Sequence, residues 1–522
     1  MSIMQILLIL VPALALLSCG LLPRKLANQR VESLRRFIAG LGALQCIAAI
    51  TALASLLGGL LRGGDPVTIK QLLPSIASLH LDGFSLLMLC LVSFVGFVVT
   101  HYSVRYLDGD ANQGNYFRWL ATTIGGVSLF AVSGNLLMLF AAWAFASFGL
   151  HQLLVHYSDR PAASNAAWTK FAFSRMGDLL LVSAIALIYR EFGTLELANI
   201  FAELKGGVDS STSLNAIAWL LMLAAVAKSA QFPFHSWLPN TLEAPTPVSA
   251  LMHAGIVNAG GYLAIRLSPL IVEAPVALGM FAIIGSITVC YAGIVMMTQS
   301  SIKRSLAYST IAQMGFMMLQ CGIGAFSAAM LHILAHSLYK AYAFLNSGSV
   351  LAEAEGQRAP KADAMRARNV ADYAGGIMLA AIGIVLSSML FGINLAAKPG
   401  GIVIGFVLTL SIAAWLWDVF RLNSIRSTTT GLVTAGGLPV LYMAGYFPVN
   451  QVVSGSVPDV QAGLMQTIAT TDVFVVFCAL FVVNCLLASK RGREILAPLY
   501  VHAANGFYLD AMTQRALSSR KT

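Results

Sequence analysis

Residues 228–254 read KSAQFPFHSWLPNTLEAPTPVSALMHA. This stretch lies between two long apolar runs, yet it carries Lys228, His235, Glu243, His253 and four prolines at 233, 239, 245 and 247. Lys228 closes the run IAWLLMLAAVAK at 217–228. Each proline removes a backbone donor and strains a helix. Inside a membrane such irregular backbone survives only where protein or a wet cavity receives it. The stretch therefore predicts a helix near 214–240 that breaks after its lysine, with a hydrated site at the break, as in transporters with discontinuous helices.

The rest of the chain supplies the lipid setting. It has 522 residues, 58% hydrophobic and 10% charged, with a mean hydropathy of +0.78. Soluble domains carry about 25% charged residues. Long apolar runs recur throughout, which points to an all-α polytopic membrane protein. Spans are expected near 4–22, 37–61, 84–104, 117–133, 135–155, 168–189, 214–240, 248–267, 276–298, 302–322, 326–350, 374–394, 401–420, 431–447 and 470–488, about 15 transmembrane helices. With the N-terminus outside, this arrangement puts 23 of the 32 Lys and Arg on the cytoplasmic side and five in outward loops. That bias fits the positive-inside rule. It explains the net charge of +10 as a topology signal spread over many loops, not as a nucleic-acid footprint.

The opening residues MSIMQ lack the positive charge of a signal peptide, so the first span is expected to be retained. The seven cysteines are isolated within apolar runs. No CxxC, P-loop or strand-borne GxGxxG stands out, so no cofactor and no metal are expected to bind the chain itself.

Ionisable groups at membrane depth are expensive, at about 2.5–3.5 kcal/mol each, and by default mark a path. Lys228 is one. His253 follows the paired prolines, and histidine titrates near physiological pH. In MLHILAHSLYKAYAF, His332, His336 and Lys340 fall at i, i+4 and i+8 and form one helical stripe. The stripe reads most simply as a proton wire. Its HxxxH spacing would also suit zinc, but no third ligand is nearby. Arg175 and Asp178 are three apart and can pair, as a structural ion pair or as part of the path. His151 lies deeper than His156, which is expected at the cytoplasmic edge. Glu243 either caps a helix start or attracts protons to the mouth.

KSAQFPFHSWLPNTLEAPTPVSALMHA, SSIKRSLAYSTIAQMGFMML and LHILAHSLYKAYAFLNSGSV together resemble the signature of the antiporter-like membrane subunits. These occur in respiratory complex I, in Mrp-type antiporters and in related membrane complexes. The resemblance covers roughly residues 80–350. It implies two inverted five-helix repeats near 117–267 and 276–420, preceded by N-terminal helices (1–116) and followed by C-terminal helices and a cytoplasmic tail (421–522). It also implies that Lys228, His253, His332, His336 and Lys340 occupy proton-path positions, with Lys228 the switching residue.

The sequence departs from the family pattern in three places. The family's helix-five glutamate follows a tryptophan, but here Trp143 precedes Ala144. His151 or Asp178 is expected to substitute. Ser301 stands where an aspartate is usual, and the apolar core of 374–394 carries no charge where a second broken helix is usual.

The ending LYVHAANGFYLDAMTQRAL resembles that of the membrane subunit of DAB-type inorganic carbon accumulation complexes. This implies a cation-conducting subunit, for protons or sodium, that powers a large zinc-containing partner resembling a carbonic anhydrase. Two alternatives remain: a proton-pumping subunit of a quinone oxidoreductase or Mrp antiporter, and a purely structural anchor. The loop AEGQRAPKADAMRARN (354–369) and the C-terminal tail are candidate docking surfaces.

Overall fold

The computed structural model describes residues 2–60, 67–73, 76–207, 212–348, 370–398, 400–420, 425–460, 463–487 and 489–518. The basic loop at 354–369 lies outside them.

Helix is present in each of the expected stretches, over only part of 214–240 and 248–267. In chain order they begin with α1 (Ile3–Ser18), the short α2 (Arg24–Gln29), α3 (Val31–Leu60), α4 (Gly83–Tyr106), α5 (Gln113–Val132), α6 (Leu136–Leu154) and α7 (Pro161–Phe192). The short α8 (Leu197–Lys205) precedes α9 (Thr212–Lys228), α10 (Thr246–Ala254), α11 (Ala259–Arg266) and the short α12 (Ser268–Ile271). Next come α13 (Pro275–Met296), α14 (Ile302–Gly322), α15 (Phe326–Leu345), α16 (Val370–Leu390), α17 (Gly401–Phe420), α18 (Ile425–Val453) and α19 (Leu464–Leu487). Two tail helices follow, α20 (Lys490–Ala504) and α21 (Leu509–Ser518). Among the described residues nine helical spans are both long and apolar enough to cross a membrane by length and composition. The chain is a multi-pass membrane protein.

Two features depart from a simple bundle. A hairpin, β1 (Val67–Leu73) and β2 (Ala77–Asp82), pairs antiparallel before α4. It is pinned to the connectors of the first helices: Gly134 N donates to Ser78 O at 2.7 Å, and the Ser78 hydroxyl donates to the Glu196 carboxylate. Asn135 Nδ2 donates to the other Glu196 oxygen at 2.9 Å. The second departure is a correction. The continuous span expected at 248–267 is interrupted, because α10 and α11 are separated by a 3-10 turn at Ile256–Asn258. The expected break after α9 is present: the helix ends at Lys228 and regular structure returns only at Pro239–Glu243 and α10.

Helices α13 and α14 approach closely. A Cβ at Gly285 in α13 would lie 2.5 Å from Gly315 O in α14, so two backbones meet where only hydrogen fits. At the hairpin end of the bundle, Asp82 caps α4, accepting from Ser85 N at 2.8 Å, and takes both Arg266 amino groups at 2.9 Å. One buried pair thus joins the start of α4 to the end of α11.

Candidate functional site

The first cluster forms where α9 stops. Lys228 Nζ lies 2.9 Å from Asp178 Oδ1 on α7, and both side chains are buried. Trp143 Nε1 on α6 donates to the same oxygen at 2.7 Å, while its ring lies 4.3 Å from the lysine ammonium. Arg175 reaches the other carboxylate oxygen at 2.6 Å from a half-exposed position. Asp178 therefore holds two cations and an indole donor. A carboxylate in this arrangement stabilises the ammonium at depth, and changing the lysine's partners would change its hold on a proton.

Between the two substitutes expected for the absent glutamate, the geometry separates Asp178 from His151. Asp178 touches Lys228. His151 is in an aromatic slot between Trp168 and Phe171, its Nδ1 3.3 Å from Ala167 O.

A further lysine joins this cluster: Lys170 is buried in α7, donating to Ser147 O at 2.8 Å and Ser147 Oγ at 2.9 Å. With Ser174 and Asp178 it forms a buried stripe at i, i+4 and i+8 on α7. The spacing was visible in the sequence. The burial of Lys170 was not legible there, because it depends on the packing of α7 against α6.

The second cluster lies between α10, α14 and α15. His253 Nδ1 is 3.0 Å from the Thr310 hydroxyl, and its ring stacks on Phe344 at 4.3 Å. Lys340 Nζ donates to Ser309 Oγ at 2.8 Å and to Leu306 O at 3.2 Å. His336 stands one turn away, and His332 Nδ1 bonds Gln320 Oε1 at 2.9 Å. The two rings of the stripe are 5.9 Å apart, and the Nε2 atoms of His253, His332 and His336 are buried without protein partners. A cleft of about 660 Å³ opens beside His332 and His336, lined also by Gln313 and Gln320 and bordered by Ile384, Leu408 and Tyr442 from α16–α18. These helices contribute apolar and hydroxyl groups to it, where the family pattern would put a charge.

The polar partners Trp143, Ser309, Thr310 and Gln320 carry no signal in an apolar helix until the partner helix is known. Glu243 and His156 lie apart from both clusters: Glu243 pairs with Arg160 at 3.4 Å on the surface, and His156 with Asp110 at 3.2 Å.

Residues 133–434 match the family described as NADH:quinone oxidoreductase/Mrp antiporter, transmembrane. The chain belongs to that family. Residues 72–117 also match the N-terminal region of complex I chain 5. The chain is thus an antiporter-like membrane transport subunit. It is 37% identical to "Probable inorganic carbon transporter subunit DabB2" of Halothiobacillus neapolitanus over 98% of this chain and 93% of that one. It is 44% identical to a DabB of Hydrogenovibrio crunogenus, over 57% of each chain. NAD(P)H-quinone oxidoreductase chain 5 of Synechocystis is 35% identical, over 63% of this chain and half of that one. Among solved structures, a chain of the Mrp complex of Dietzia superposes with a TM-score of 0.66 at 24% identity, over 99% of this chain and 60% of that longer one. This likeness shows a shared fold.

Proposed function

We propose that this chain is the proton-conducting membrane subunit of an energy-coupled inorganic carbon uptake complex. In this reading protons move down their gradient through Lys228 and Asp178, with Arg175 and Lys170 tuning the charge, and through His253, His332, His336 and Lys340. His151, in its aromatic slot against α7, is part of the same path in this reading. A population switch in the broken helix couples the flow to a large zinc-containing, carbonic-anhydrase-like partner on the cytoplasmic side. Residues 117–267 and 276–420 act as inverted repeats, with the N-terminus outside and the C-terminus cytoplasmic.

The observation that carries the reading is the buried Lys228–Asp178 pair at the end of a broken helix, in a chain that aligns almost end to end with a relative named for inorganic carbon transport. The test uses the chain co-expressed with its genomic neighbours. Co-purification of a zinc protein and loss of bicarbonate-dependent growth in Lys228→Ala are expected. Isolation with quinone-reducing subunits would favour the oxidoreductase alternative. An assembled Lys228→Ala complex with full uptake would reduce the chain to an anchor.

A further inference from the structure

The tail between α20 and α21 is wound in an unusual way. Gly506, Phe507 and Tyr508 all have left-handed backbone, with φ of 58°, 50° and 63°. For a residue with a side chain this costs about 1–2 kcal/mol, so the surroundings must hold the turn in place. Tyr291 of α13 donates its hydroxyl to Gly506 O at 3.1 Å, and Gln299 donates to Ala504 O at 3.3 Å. Tyr308 of α14 donates to Asp510 Oδ2 at 3.3 Å. Both tyrosine hydroxyls converge on the glycine: a Cβ there would lie 3.1 Å from one and 3.3 Å from the other.

Tyr291 also faces the irregular segment after Lys228, and the Tyr308 ring packs against the Tyr291 ring at 6.4 Å. The Tyr291 ring lies 4.6 Å from the ring of His235, which belongs to the irregular segment after Lys228. His235 is 1% exposed, and neither ring nitrogen has a protein partner. At the other end of the tyrosine pair Asp510 Oδ1 is also buried without a partner. Buried polar atoms are seldom left unsatisfied without a functional reason or a bound water. Burial raises the Asp510 carboxyl above the ordinary carboxylate range, with Tyr308 and Arg304 opposing, so it can hold a proton as well as release one.

We propose that the turn at 505–510 forms, with Tyr308, Tyr291 and His235, a proton port between the cytoplasm and the broken helix. The proposal rests on the proton-conducting reading. Asp510 takes a proton from cytoplasmic water and gives it to the Tyr308 oxygen as that hydroxyl passes its own proton on. Tyr291 and one bridging water repeat the exchange, and a His235 nitrogen receives the last proton. Every O–H bond broken is matched by an O–H or N–H bond formed, and nothing is oxidised or reduced.

The experiment measures pH-gradient-driven proton flux in proteoliposomes carrying the whole complex. Asp510→Asn and His235→Gln are expected to lower flux tenfold or more at unchanged thermal stability, and Asp510→Glu to restore it. If Asp510→Asn does not assemble, Tyr308→Phe, which removes one hydroxyl, decides by the same criterion. Full flux in these variants while Lys228→Ala is inactive would overturn the port and spare the relay. Full flux in Lys228→Ala as well would overturn the conducting reading itself.

Discussion

At the scale of the residue, Lys228 illustrates how charge is carried at membrane depth. Its ammonium has one carboxylate and one indole face, and the same carboxylate also holds Arg175. Removing one member of a buried pair leaves an uncompensated charge and costs about 3–5 kcal/mol, whereas replacing both by apolar groups is often neutral. Asp178→Ala is therefore expected to lose about that much stability in denaturation of the purified protein. The Lys228→Met, Asp178→Leu double variant should recover most of it while remaining unable to transport. Equal instability in the single and double variants would show that the pair acts structurally in some other way. Lys228 was legible from the sequence because a cation before a proline-rich break is rare in lipid. Its partner was not legible: Asp178 and His151 were both available near Lys228, and only the packing of α7 on α9 separates them.

At the scale of the element, the hairpin and the start of α4 form a tightly held corner. Burial lowers His80 from 6.5 to about 4, with Arg266 adding to the effect and Asp82 opposing it. The Asp82 carboxyl is opposed by burial, but Arg266 overrides this and holds it well below the usual range. The sign for His80 follows from linkage. The folded corner keeps the imidazole neutral, so its stability is complete above pH 6.5 and falls as pH drops from 6.5 towards 4. Opening of the hairpin should increase about tenfold per pH unit across that window, as one proton is taken up. The protection factors of amides 77–82 between pH 7 and 4.5, with the intrinsic exchange rate at each pH divided out, would measure it, and protection that does not change with pH would show that His80 is not the controlling group. The hairpin was missed because VTIKQLL and ASLHLD are short, and strand pairing is a non-local property. The break between α10 and α11 was missed because no proline marks it.

At the scale of the whole molecule, the spread of Lys and Arg predicts the orientation. A cysteine placed at Asp459 should react with a membrane-impermeant maleimide from outside intact cells. One at Lys490 should react only in inverted vesicles. The opposite pattern would reverse the assignment and with it the cytoplasmic port.

The sequence determined that this chain lives in lipid, where its helices run, where one of them breaks and which histidines share a face. Those properties follow from hydropathy, helical periodicity and proline chemistry, all local in the chain. Tertiary structure decided which carboxylate meets Lys228, that Lys170 is buried, that a cleft flanks the histidine stripe where the family pattern places a charged helix, and that the tail turn presses on Tyr291 and Tyr308. Each of these depends on side chains far apart in sequence meeting across packed helices, and apolar helix faces of similar composition do not encode which neighbour they will find.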